Sequence, residues 1–410
     1  MTEDELRTHS PERTATSIVV MKFGGSSLAT EDLRVLAVRR VIEKIESGKR
    51  AVVVVSAMGR LPAPYATDTL LALAPGADGA NLDLLLSCGE SMSAAVFAAL
   101  LESRGTKALA LTGAQAGILT EKRHGDARIL RVEPQAVREL LDAGVTPVIA
   151  GFQGLAPDGS VTTLGRGGSD LSAVAVAASL GNATCEIFTD VEGVMTADPR
   201  RVSSASTVRE LTFDEVNELA ANGAQIMHDR ASDLAREART PYSIRSLRSG
   251  SGTDIGAERL VEQGKPVTGL ATITGFTFLH VVPEAAAMPG GWERDTFTAL
   301  ANAAINLDCI NVNRAGVFFI VRESDLDRTR QVLDALPVAA RATRDCAKVS
   351  VVGAGMRGTP GIMAAVVQVL VAAGVPILHS TDSNITISVI VPGPLAAGAE
   401  AALHKHFELA

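Results

Sequence analysis

Residues 19–30, VVMKFGGSSLAT, end an apolar run with a lysine and follow it with two glycines and two serines. Glycines let the main chain approach a ligand closely, and the amides of a strand-to-helix turn point at an anion near the positive end of the helix. Lys22 adds a full charge to this turn. The stretch therefore indicates a phosphate site at the end of a strand, although a Lys-Gly-Gly sequence is also common in ordinary turns.

The apolar runs on either side of this stretch predict a mainly parallel sheet. Over residues 18–250, short β-branched runs alternate with segments of helical periodicity such as 31–47 and 89–104. This alternation is typical of an α/β domain with helices on both faces of the sheet, whose ligands lie at the carboxyl ends of the strands. The predicted strands are IVVMKF (18–23), AVVVVSAM (51–58), KALALTG (107–113), TPVIAGFQG (146–154) and CEIFTDV (185–191).

The pattern changes after RSGSGTDIG (248–256), a Gly/Ser-rich stretch typical of a linker. Two segments follow with the same predicted order of strand, turn, helix, strand and strand, and residues 300–313 align with 370–383 at a constant offset of 70 residues. We therefore expect a tandem repeat of a small α+β module, with two unrelated ferredoxin-like folds as the alternative. The predicted parts are a flexible N-terminal extension (1–17), a catalytic domain (18–250), a linker (251–265) and the two modules (266–340 and 341–410).

The composition argues against several classes of protein. The 410 residues are 47% hydrophobic and 20% charged with a net charge of −8, which indicates a folded protein of two or three domains. Three per cent aromatic residues and the negative charge leave little for a nucleic-acid surface. We read no secretory signal in the polar N-terminus and no apolar stretch of the roughly 18 residues that a membrane span needs, so we expect a cytoplasmic protein without a membrane partner. Four cysteines without a CxxC pair predict buried free thiols and no metal site.

A second anion site is indicated by TTLGRGGSDLSA (162–173), which again follows a predicted strand and opens a helix. The guanidinium of Arg166 suits a carboxylate, and the turn through Gly167, Gly168 and Ser169 offers amides. Asp170 can orient a lysine or a metal-bound water. A purely structural turn has little need of opposite charges on either side of three small residues, so we favour a functional site here.

Two further stretches allow both a functional and a structural interpretation. In FTDVEGVMTADPR (188–200) a strand ends at Thr189 and Asp190, whose oxygens suit a ribose and base, and Arg200 suits phosphates; the alternative is a capped loop. In LLLSCGESMSAAVFAALL (84–101) the sequence predicts Glu90 in the first turn of an apolar helix, where it either caps the helix or holds a substrate ammonium.

Two anion sites and a carboxylate at strand ends suggest phosphoryl transfer between a nucleotide and an acidic or zwitterionic small molecule. The chain has no GxxxxGK[ST] loop and no HRD or DFG set, so it is neither a P-loop enzyme nor a protein kinase. The histidines are scattered and no GxSxG elbow occurs, which argues against a hydrolase triad.

The motifs KFGGSS, SAMG, LTGAQAG, TLGRGGSD and FTDVEGVMTADPR, followed by the two repeats, resemble the aspartate kinases of the amino-acid kinase family. The resemblance covers residues 18–407 and is closest to the short form with two C-terminal ACT modules. It implies an amino-acid kinase fold followed by two ferredoxin-like ACT domains. It also implies the transfer of a phosphoryl group from ATP, with Mg²⁺, to the side-chain carboxylate of L-aspartate.

The resemblance also implies roles for individual residues. Lys22 and Asp170 would be catalytic, with Lys22 also holding phosphates. The other predicted ATP-binding residues are Phe23, Gly24, Gly25, Thr189, Asp190, Met195, Asp198, Arg200 and Gln225. The predicted aspartate-binding residues are Ser26, Ser56, Thr67, Glu90, Arg166, Gly167, Gly168 and Ser169. An amino-acid effector is expected at Asn306, Asp308, Ile377, His379 and Asp382, between modules that pair across a homodimer or larger assembly.

The chain departs from the family pattern near the end of the predicted catalytic domain. Where the family reads GAKVLHPRA, with its lysine on an ATP phosphate, residues 223–231 read GAQIMHDRA. Gln225 carries no charge and Asp229 adds a negative one, so a catalytically weakened, amino-acid-sensing homologue is one alternative. A kinase for another amino-acid carboxylate is the other, because Arg166 and Glu90 recognise a zwitterion without measuring its chain length.

Overall fold

The computed structural model describes residues 17–224, 227–258, 265–284 and 291–410. The predicted extension, apart from residue 17, therefore lies outside the described residues, as does Gln225. The chain divides into two compact units. The N-terminal unit comprises residues up to 190 together with 237–250, and the C-terminal unit comprises 191–236 together with 251–410.

The first half of the chain alternates strands and helices as the sequence predicts. The strands are β1 (Ile18–Phe23), β2 (Arg50–Val55), β3 (Ala108–Leu111), β4 (Ile118–Thr120), β5 (Ile129–Val132), β6 (Thr146–Ala150), β7 (Gln153–Leu155), β8 (Val161–Thr163) and β9 (Ala183–Thr189). The helices are α1 (Glu31–Glu46), α2 (Thr67–Leu73), α3 (Gly79–Glu102), α4 (Gln135–Asp142) and α5 (Gly168–Leu180), and a short 3₁₀ turn covers Ser26–Leu28.

The second half continues with β10 (Glu210–Thr212), α6 (Phe213–Ala221), α7 (Asp229–Glu237), β11 (Tyr242–Ser246), β12 (Gly252–Gly256) and β13 (Gly269–Pro283). It ends with α8 (Trp292–Asn302), β14 (Asp308–Asn313), β15 (Gly316–Arg322), α9 (Leu326–Asp334), β16 (Val338–Val352), α10 (Ile362–Ala372), β17 (His379–Asp382), β18 (Thr386–Pro392) and α11 (Ala396–His406).

A parallel sheet with the order β11-β9-β1-β2-β6-β3 forms the centre of the N-terminal unit. β1 lies between β2 and β9 and is buried throughout, which explains its continuous apolar run. Alternate residues Val19, Met21 and Phe23 face the core formed with α1 and α3. Strand alternation therefore directs Lys22 to the opposite face, which is the face that α5 covers.

A small second sheet, with the order β5-β4-β7-β8, extends the N-terminal unit. β7 and β8 pair antiparallel, and β8 ends at Thr163, five residues before α5 begins. This hairpin thus delivers the turn 164–167 to the start of α5. The sequence did not predict this sheet, because its strands are only three or four residues long. The predicted strand 146–154 instead joined β6 to the first two residues of β7.

α3 is the longest helix of the described residues and begins earlier than the sequence pattern predicted. It starts at Gly79, so Glu90 lies in its middle and the helix-capping alternative for Glu90 is wrong. Its length and composition also pass a test for a membrane span, contrary to the expectation that no stretch would, but half of its apolar window is buried inside the protein. A core helix has the same properties, and the buried acidic side chains of Asp83 and Glu90 face inward from it.

The predicted linker 251–265 is wrong in its first part, because residues 252–256 form β12, which pairs in parallel with β10. The predicted catalytic domain 18–250 also does not form one compact unit. Residues 191–236 belong with the C-terminal unit, where buried Glu215 of α6 accepts hydrogen bonds from Thr268 Oγ1 (2.6 Å) and Ala354 N (2.9 Å). Asn222 likewise accepts a hydrogen bond from Ser350 Oγ (2.8 Å).

The C-terminal repeat is confirmed as two ferredoxin-like modules, which share one sheet with the order β14-β15-β13-β16-β18-β17. α8 and α10, β15 and β18, and α9 and α11 each begin 70 residues apart. The modules are not divided at residue 340, however. The first module uses 276–283 of β13 and 338–346 of β16, whereas the second uses 269–274 of β13 and 347–352 of β16. Gly275, with φ of +82°, lies at the register shift between the two halves of β13.

The two edge strands of this shared sheet, β14 and β17, approach each other. Thr381 Oγ1 of β17 lies 3.7 Å from Cys309 Sγ of β14, and the His379 ring stacks on Phe278 at 5.5 Å between centroids. α11 packs on the second module and on the segment before β10, where His404 Nε2 lies 2.9 Å from Thr196 Oγ1. Three of the four cysteines are buried as expected, but Cys88 is exposed on α3.

Candidate active site

A cavity of about 450 Å³ lies at the carboxyl ends of the strands in the N-terminal unit. This is the edge of the sheet where ligands of such folds bind and where the functional side chains are expected to gather. It brings together seven of the eight predicted substrate-binding residues, from four separate segments of the chain. The lining residues are Lys22, Ser56, Thr67, Asp68, Glu90, Phe152, Gly165, Arg166, Gly167, Gly168, Ser169 and Asp170.

Lys22 and Asp170 form an ion pair in the wall of this cavity. Lys22 Nζ lies 2.6 Å from Asp170 Oδ1, and the two side chains are 11% and 17% exposed. The end of strand β1 supplies the lysine, and the first turn of helix α5 supplies the aspartate. The pair thus holds an ammonium group at the cavity while a carboxylate compensates its charge.

Glu90 is the most deeply buried acidic side chain of the cavity, with 2% of its surface exposed. Its Oε1 accepts a hydrogen bond from the amide of Ala57 (3.1 Å), while Oε2 is buried with no hydrogen-bond partner. Burial raises the pKa of Glu90 to about 7, against the smaller opposing effect of the Ala57 amide. A cationic donor such as an ammonium group in the cavity would favour the ionised form of Glu90 and donate a hydrogen bond to its free Oε2.

Arg166 lies across the cavity on the glycine-rich turn that precedes α5. Its side chain is exposed, and none of the ion pairs of the described residues involves it. Gly165 and Gly167 have φ values of +75° and +72°, which glycine adopts without strain. Gly168 needs the absence of a side chain for a different reason, because a Cβ there would lie 2.9 Å from the ring of Phe152.

The turn after β1 approaches the loop after β2 closely. A Cβ on Gly25 would lie 2.7 Å from the carbonyl oxygen of Ala57 and 2.8 Å from that of Gly59. The Gly59 amide donates to the carbonyl of Gly25 (2.9 Å), which locks the two turns together. The close approach of backbone to backbone is thus the physical reason for a glycine at position 25.

Two of the residues predicted from the motif around Lys22 are placed differently. The Phe23 ring is fully buried and stacks on Phe97 and Phe188, with centroids 5.4 and 4.9 Å away. Its side chain therefore belongs to the core and cannot contact a nucleotide. Ser26 starts the 3₁₀ turn and does not line the cavity.

The remaining predicted ATP-binding residues lie in different parts of the chain. Thr189 and Asp190 follow β9 in the N-terminal unit, where Thr189 Oγ1 donates to Asp190 Oδ1 (3.1 Å). Met195, Asp198 and Arg200 belong to the C-terminal unit. There Asp198 accepts hydrogen bonds from the amide and guanidinium of Arg200, which lower its pKa against a smaller effect of burial. Gln225 lies outside the described residues.

The predicted effector residues are only partly brought together. Asp308 of β14 forms an ion pair with Lys348 at 2.5 Å; burial alone would raise the pKa of Asp308, but the lysine lowers it overall. His379 stacks against the neighbouring aromatic rings, and burial lowers its pKa. Asn306 and Asp382 are exposed, and Ile377 packs at the margin of the core of the second module.

Three residues of the cavity are not among the predicted site residues. Asp68 follows Thr67 in the first turn of α2, so its neighbour was the available signal. Gly165 begins the turn that carries Arg166. Phe152 adopts a φ of +68°, which is uncommon for a residue with a side chain, and the sequence around it gives no indication of this conformation.

Comparisons with known proteins agree with this geometry. Residues 17–246 match the amino acid kinase family, and residues 341–405 match the ACT domain. The chain is 40% identical to aspartokinase 1 of Bacillus subtilis over 402 residues, which cover 96% of this chain and 99% of the relative.

Solved structures give the same result. Aspartokinase III of E. coli in complex with aspartate and ADP has a TM-score of 0.71 at 25% identity, covering 95% of this chain and 99% of that one. The same E. coli enzyme in complex with lysine and aspartate has a TM-score of 0.72 at 26% identity, covering 96% and 100%. The fold, the family match and the 40% identity over 96% of the chain show that the chain belongs to the amino acid kinase family and, within that family, to the aspartokinases.

Proposed function

We propose that the cavity of the N-terminal unit is the site where this ATP-dependent aspartate kinase binds L-aspartate. The observation that carries the proposal is the pairing of a deeply buried carboxylate that has an unsatisfied oxygen, Glu90, with an arginine that has no carboxylate partner in the described ion pairs, Arg166. Both line the same cavity. An amino acid carries the two charges that these groups lack.

In this arrangement Glu90 holds the α-ammonium group and Arg166 holds the α-carboxylate of the substrate. The amide-rich turn 167–169 adds donors beside Arg166. Ser56, just after β2, and Thr67, at the start of α2, supply hydroxyl groups. With the α-substituents held, the side-chain carboxylate extends toward Lys22.

The phosphoryl transfer then needs positioning and charge compensation more than acid–base catalysis. An aspartate side chain has a reference pKa of about 3.9 and is already ionised as a nucleophile at neutral pH. The barrier comes from bringing two anions together, and Lys22 supplies the cation between them. Asp170 orients the Lys22 ammonium through the 2.6 Å ion pair.

The nucleotide is proposed to lie beyond the turn at Gly24 and Gly25, with Thr189 and Asp190 at the base and ribose. Met195, Asp198, Arg200 and Gln225 are proposed nucleotide contacts as well, and for Phe23 only its main chain is available. The turn supports this proposal because a Cβ on Gly24 would lie 3.4 Å from Lys22 Nζ, so the absence of a side chain at Gly24 leaves room beside the ammonium. The Arg200 side chain is 82% exposed although it forms an ion pair with Asp198, so its guanidinium is accessible to phosphates.

Mg²⁺ is the expected partner of the ATP phosphates, where it neutralises charge on the transferring group. The described residues contain no group of three or more metal-ligating side chains. The residues present still fit a magnesium ion, because Mg²⁺ in kinases uses one or two carboxylates and otherwise phosphates and water. Asp170 is the carboxylate beside the Lys22 ammonium that would hold it, directly or through water.

The proposal is tested by trapping the acyl phosphate with hydroxylamine under saturating Mg-ATP, with L-aspartate, L-glutamate and succinate as acceptors. We expect hydroxamate with aspartate, and a KM for aspartate that rises at least tenfold in Glu90→Gln and Arg166→Met. Asp158→Asn changes a surface carboxylate that pairs with Lys122 outside the cavity, and serves as the control. Unchanged KM values in both cavity variants would contradict the proposed site.

Gln225 supports a second candidate, a kinase of reduced turnover that mainly senses amino acids. An uncharged residue at this position removes a cation from the ATP phosphates if the family pattern holds. Gln225→Lys distinguishes the two candidates. A large gain in kcat favours the weakened enzyme, whereas high and equal kcat in both forms contradicts it.

We also propose that both C-terminal modules are ACT domains that bind an amino-acid effector near Asp308 and His379. Their shared sheet and the match of residues 341–405 support this assignment. A homodimer or larger assembly through these modules and a cytoplasmic location complete the proposal. Light scattering with and without lysine, threonine and diaminopimelate tests assembly and effector together, with inhibition of the hydroxamate assay as the second measurement.

A further inference from the structure

Asp83 is a buried acidic residue of the N-terminal unit that does not line the cavity. Only 1% of its surface is exposed. Its carboxylate accepts hydrogen bonds from the amide (2.9 Å) and hydroxyl (2.6 Å) of Thr163, and from the amide of Gly125 (3.1 Å). His124 Nδ1 lies 2.9 Å from Oδ2. One side chain therefore holds the end of β8 and the loop 124–126 at the same time.

Both of these segments adjoin the turn that carries Arg166. Thr163 is the last residue of β8 and lies three residues before Arg166. The loop 124–126 packs against Gly165, because a Cβ on Gly165 would lie 2.7 Å from Asp126 Oδ1 and 3.3 Å from the Gly125 carbonyl oxygen. Asp83 thus fixes the turn from its upstream end and from one side.

Asp83 and Glu90 also belong to the same helix, α3, and both are buried. Seven residues are close to two helical turns, so the two carboxylates project from the same face about 10 Å apart along the axis. Helix α3 therefore carries Glu90, one of the two proposed substrate-binding residues. Through Asp83 it also holds the segments next to the turn that carries Arg166, the other one.

We propose that Asp83 is a positioning residue that sets the separation between the ammonium-binding Glu90 and the carboxylate-binding Arg166. It acts through Thr163 and the loop 124–126, without contact with the substrate. This inference rests on the proposed aspartate site. It predicts that Asp83 controls the affinity for the amino acid, while the binding of ATP and the transfer step depend on other residues.

The chemistry of the contacts explains why a carboxylate is needed. The groups that face Asp83 are donors: two amides, a hydroxyl and, in its Nδ1–H tautomer, an imidazole. An asparagine side chain has one acceptor oxygen and two N–H donors, so an N–H would take the place of one carboxylate oxygen. The Thr163 hydroxyl could turn to accept from it, but at either position the N–H would also face a backbone amide that cannot accept. The substitution therefore leaves buried donors unsatisfied and displaces the segments they belong to.

The test compares the kinetic constants of Asp83→Asn with those of the unchanged enzyme in the hydroxamate assay. We expect the KM for aspartate to rise tenfold or more, with the KM for ATP and kcat at saturating aspartate changed less than threefold. The control is again Asp158→Asn, the same chemical change at an exposed residue. Thermal unfolding of each variant establishes that the fold is retained.

A second pair of variants serves if Asp83→Asn does not fold. Thr163→Val removes only the hydroxyl donor and should raise the KM for aspartate several-fold, whereas Thr163→Ser keeps the donor and should restore it. Equal changes in the KM for aspartate and ATP, or a lower kcat with an unchanged KM, would overturn the inference. Serine and valine behaving alike would also overturn it.

The KM values of these variants distinguish a failure of the positioning role of Asp83 from a failure of the proposed substrate site. If Glu90→Gln and Arg166→Met raise the KM for aspartate but Asp83→Asn and Thr163→Val do not, the substrate site stands and the positioning role is wrong. If none of the four variants changes that KM, the proposed substrate site is wrong as well.

Discussion

Lys22 Nζ and Asp170 Oδ1 lie 2.6 Å apart, joining the end of strand β1 to the first turn of helix α5. The pair is mostly shielded from water, so its members interact more strongly than an exposed ion pair would. Asp170 orients the ammonium before the substrates arrive. The cation is therefore in place at the point where two anions must meet.

Lys22→Met should reduce kcat by roughly 100-fold to 1,000-fold, which is the loss seen when one electrostatic group of a transition state is removed. The hydroxamate assay at saturating substrates measures it. Lys44→Met is the matched control, because Lys44 forms an equally short ion pair with Glu186 in the same unit but does not line the cavity. That variant should unfold at a lower temperature and keep its kcat, whereas a Lys22→Met enzyme with near-normal kcat would contradict the role of Lys22.

The KM for aspartate should depend on pH through Glu90. Its pKa of about 7 in the free enzyme means that the group is protonated at lower pH, and an ammonium ion binds well only to the ionised form. The KM for aspartate should therefore be flat above pH 7 and rise toward about tenfold per pH unit below it. Initial rates between pH 5.5 and 8.5 measure this profile.

Glu90→Gln provides the comparison for that profile. The variant should have a high KM for aspartate that no longer changes between pH 6 and 7, while the KM for ATP follows the same curve in both forms. Burial of Glu90 also affects folding. The pKa is raised from 4.5, so the unfolded chain loses this proton first and the free energy of unfolding falls as pH rises from 4.5 to 7. The same substitution should remove that fall.

Gly25→Ala should separate the turn after β1 from the loop after β2. The new Cβ would lie 2.7 and 2.8 Å from two carbonyl oxygens, so one backbone segment must move. A displacement of about 1 Å beside a catalytic group can cost roughly 100-fold, and we expect that loss in kcat/KM for ATP. Gly398→Ala in α11 meets no atom within 4 Å and should leave the kinetic constants unchanged. A Gly25→Ala enzyme with normal ATP kinetics would show that the close approach is dispensable.

His404 should make the C-terminal unit less stable in acid. Burial lowers its pKa from 6.5, so the unfolded chain takes up the proton more readily than the folded one. The stability is complete above pH 6.5 and falls as pH decreases below it. In denaturant titrations at pH 5 to 8, His404→Gln should weaken this dependence, and His406→Gln, on the exposed side of the same helix, should leave it unchanged. Equal slopes in all three forms would contradict the role of His404.

Much of the fold could be predicted because its signals are local. The continuous apolar run of 18–23 is what a strand between two parallel neighbours requires, and β1 has that position. The glycine-rich turn at 165–168 was recognisable because it combines positive φ positions with close packing, which few other residues satisfy. The 70-residue offset of the repeat is likewise a property of the sequence alone.

The parts that were wrong or missed depend on contacts between distant residues. The linker interpretation of 252–256 failed because pairing with β10, and not composition, makes this Gly-rich stretch a strand. Phe23 was predicted to contact the nucleotide, but the motif does not show that its ring faces the core formed with α1 and α3. The contribution of Asp83 was invisible since its partners lie about 40 and 80 residues away.

The two long strands that serve both regulatory modules have a consequence for how this protein can be dissected. A fragment that stops before residue 338 lacks β16, whose first half pairs with β13 in the first module. A fragment that starts after residue 284 lacks β13, whose first half pairs with β16 in the second module. Neither module should fold stably when it is expressed alone. Replacing these modules with those of a related enzyme would therefore require that residues 269–410 be exchanged together.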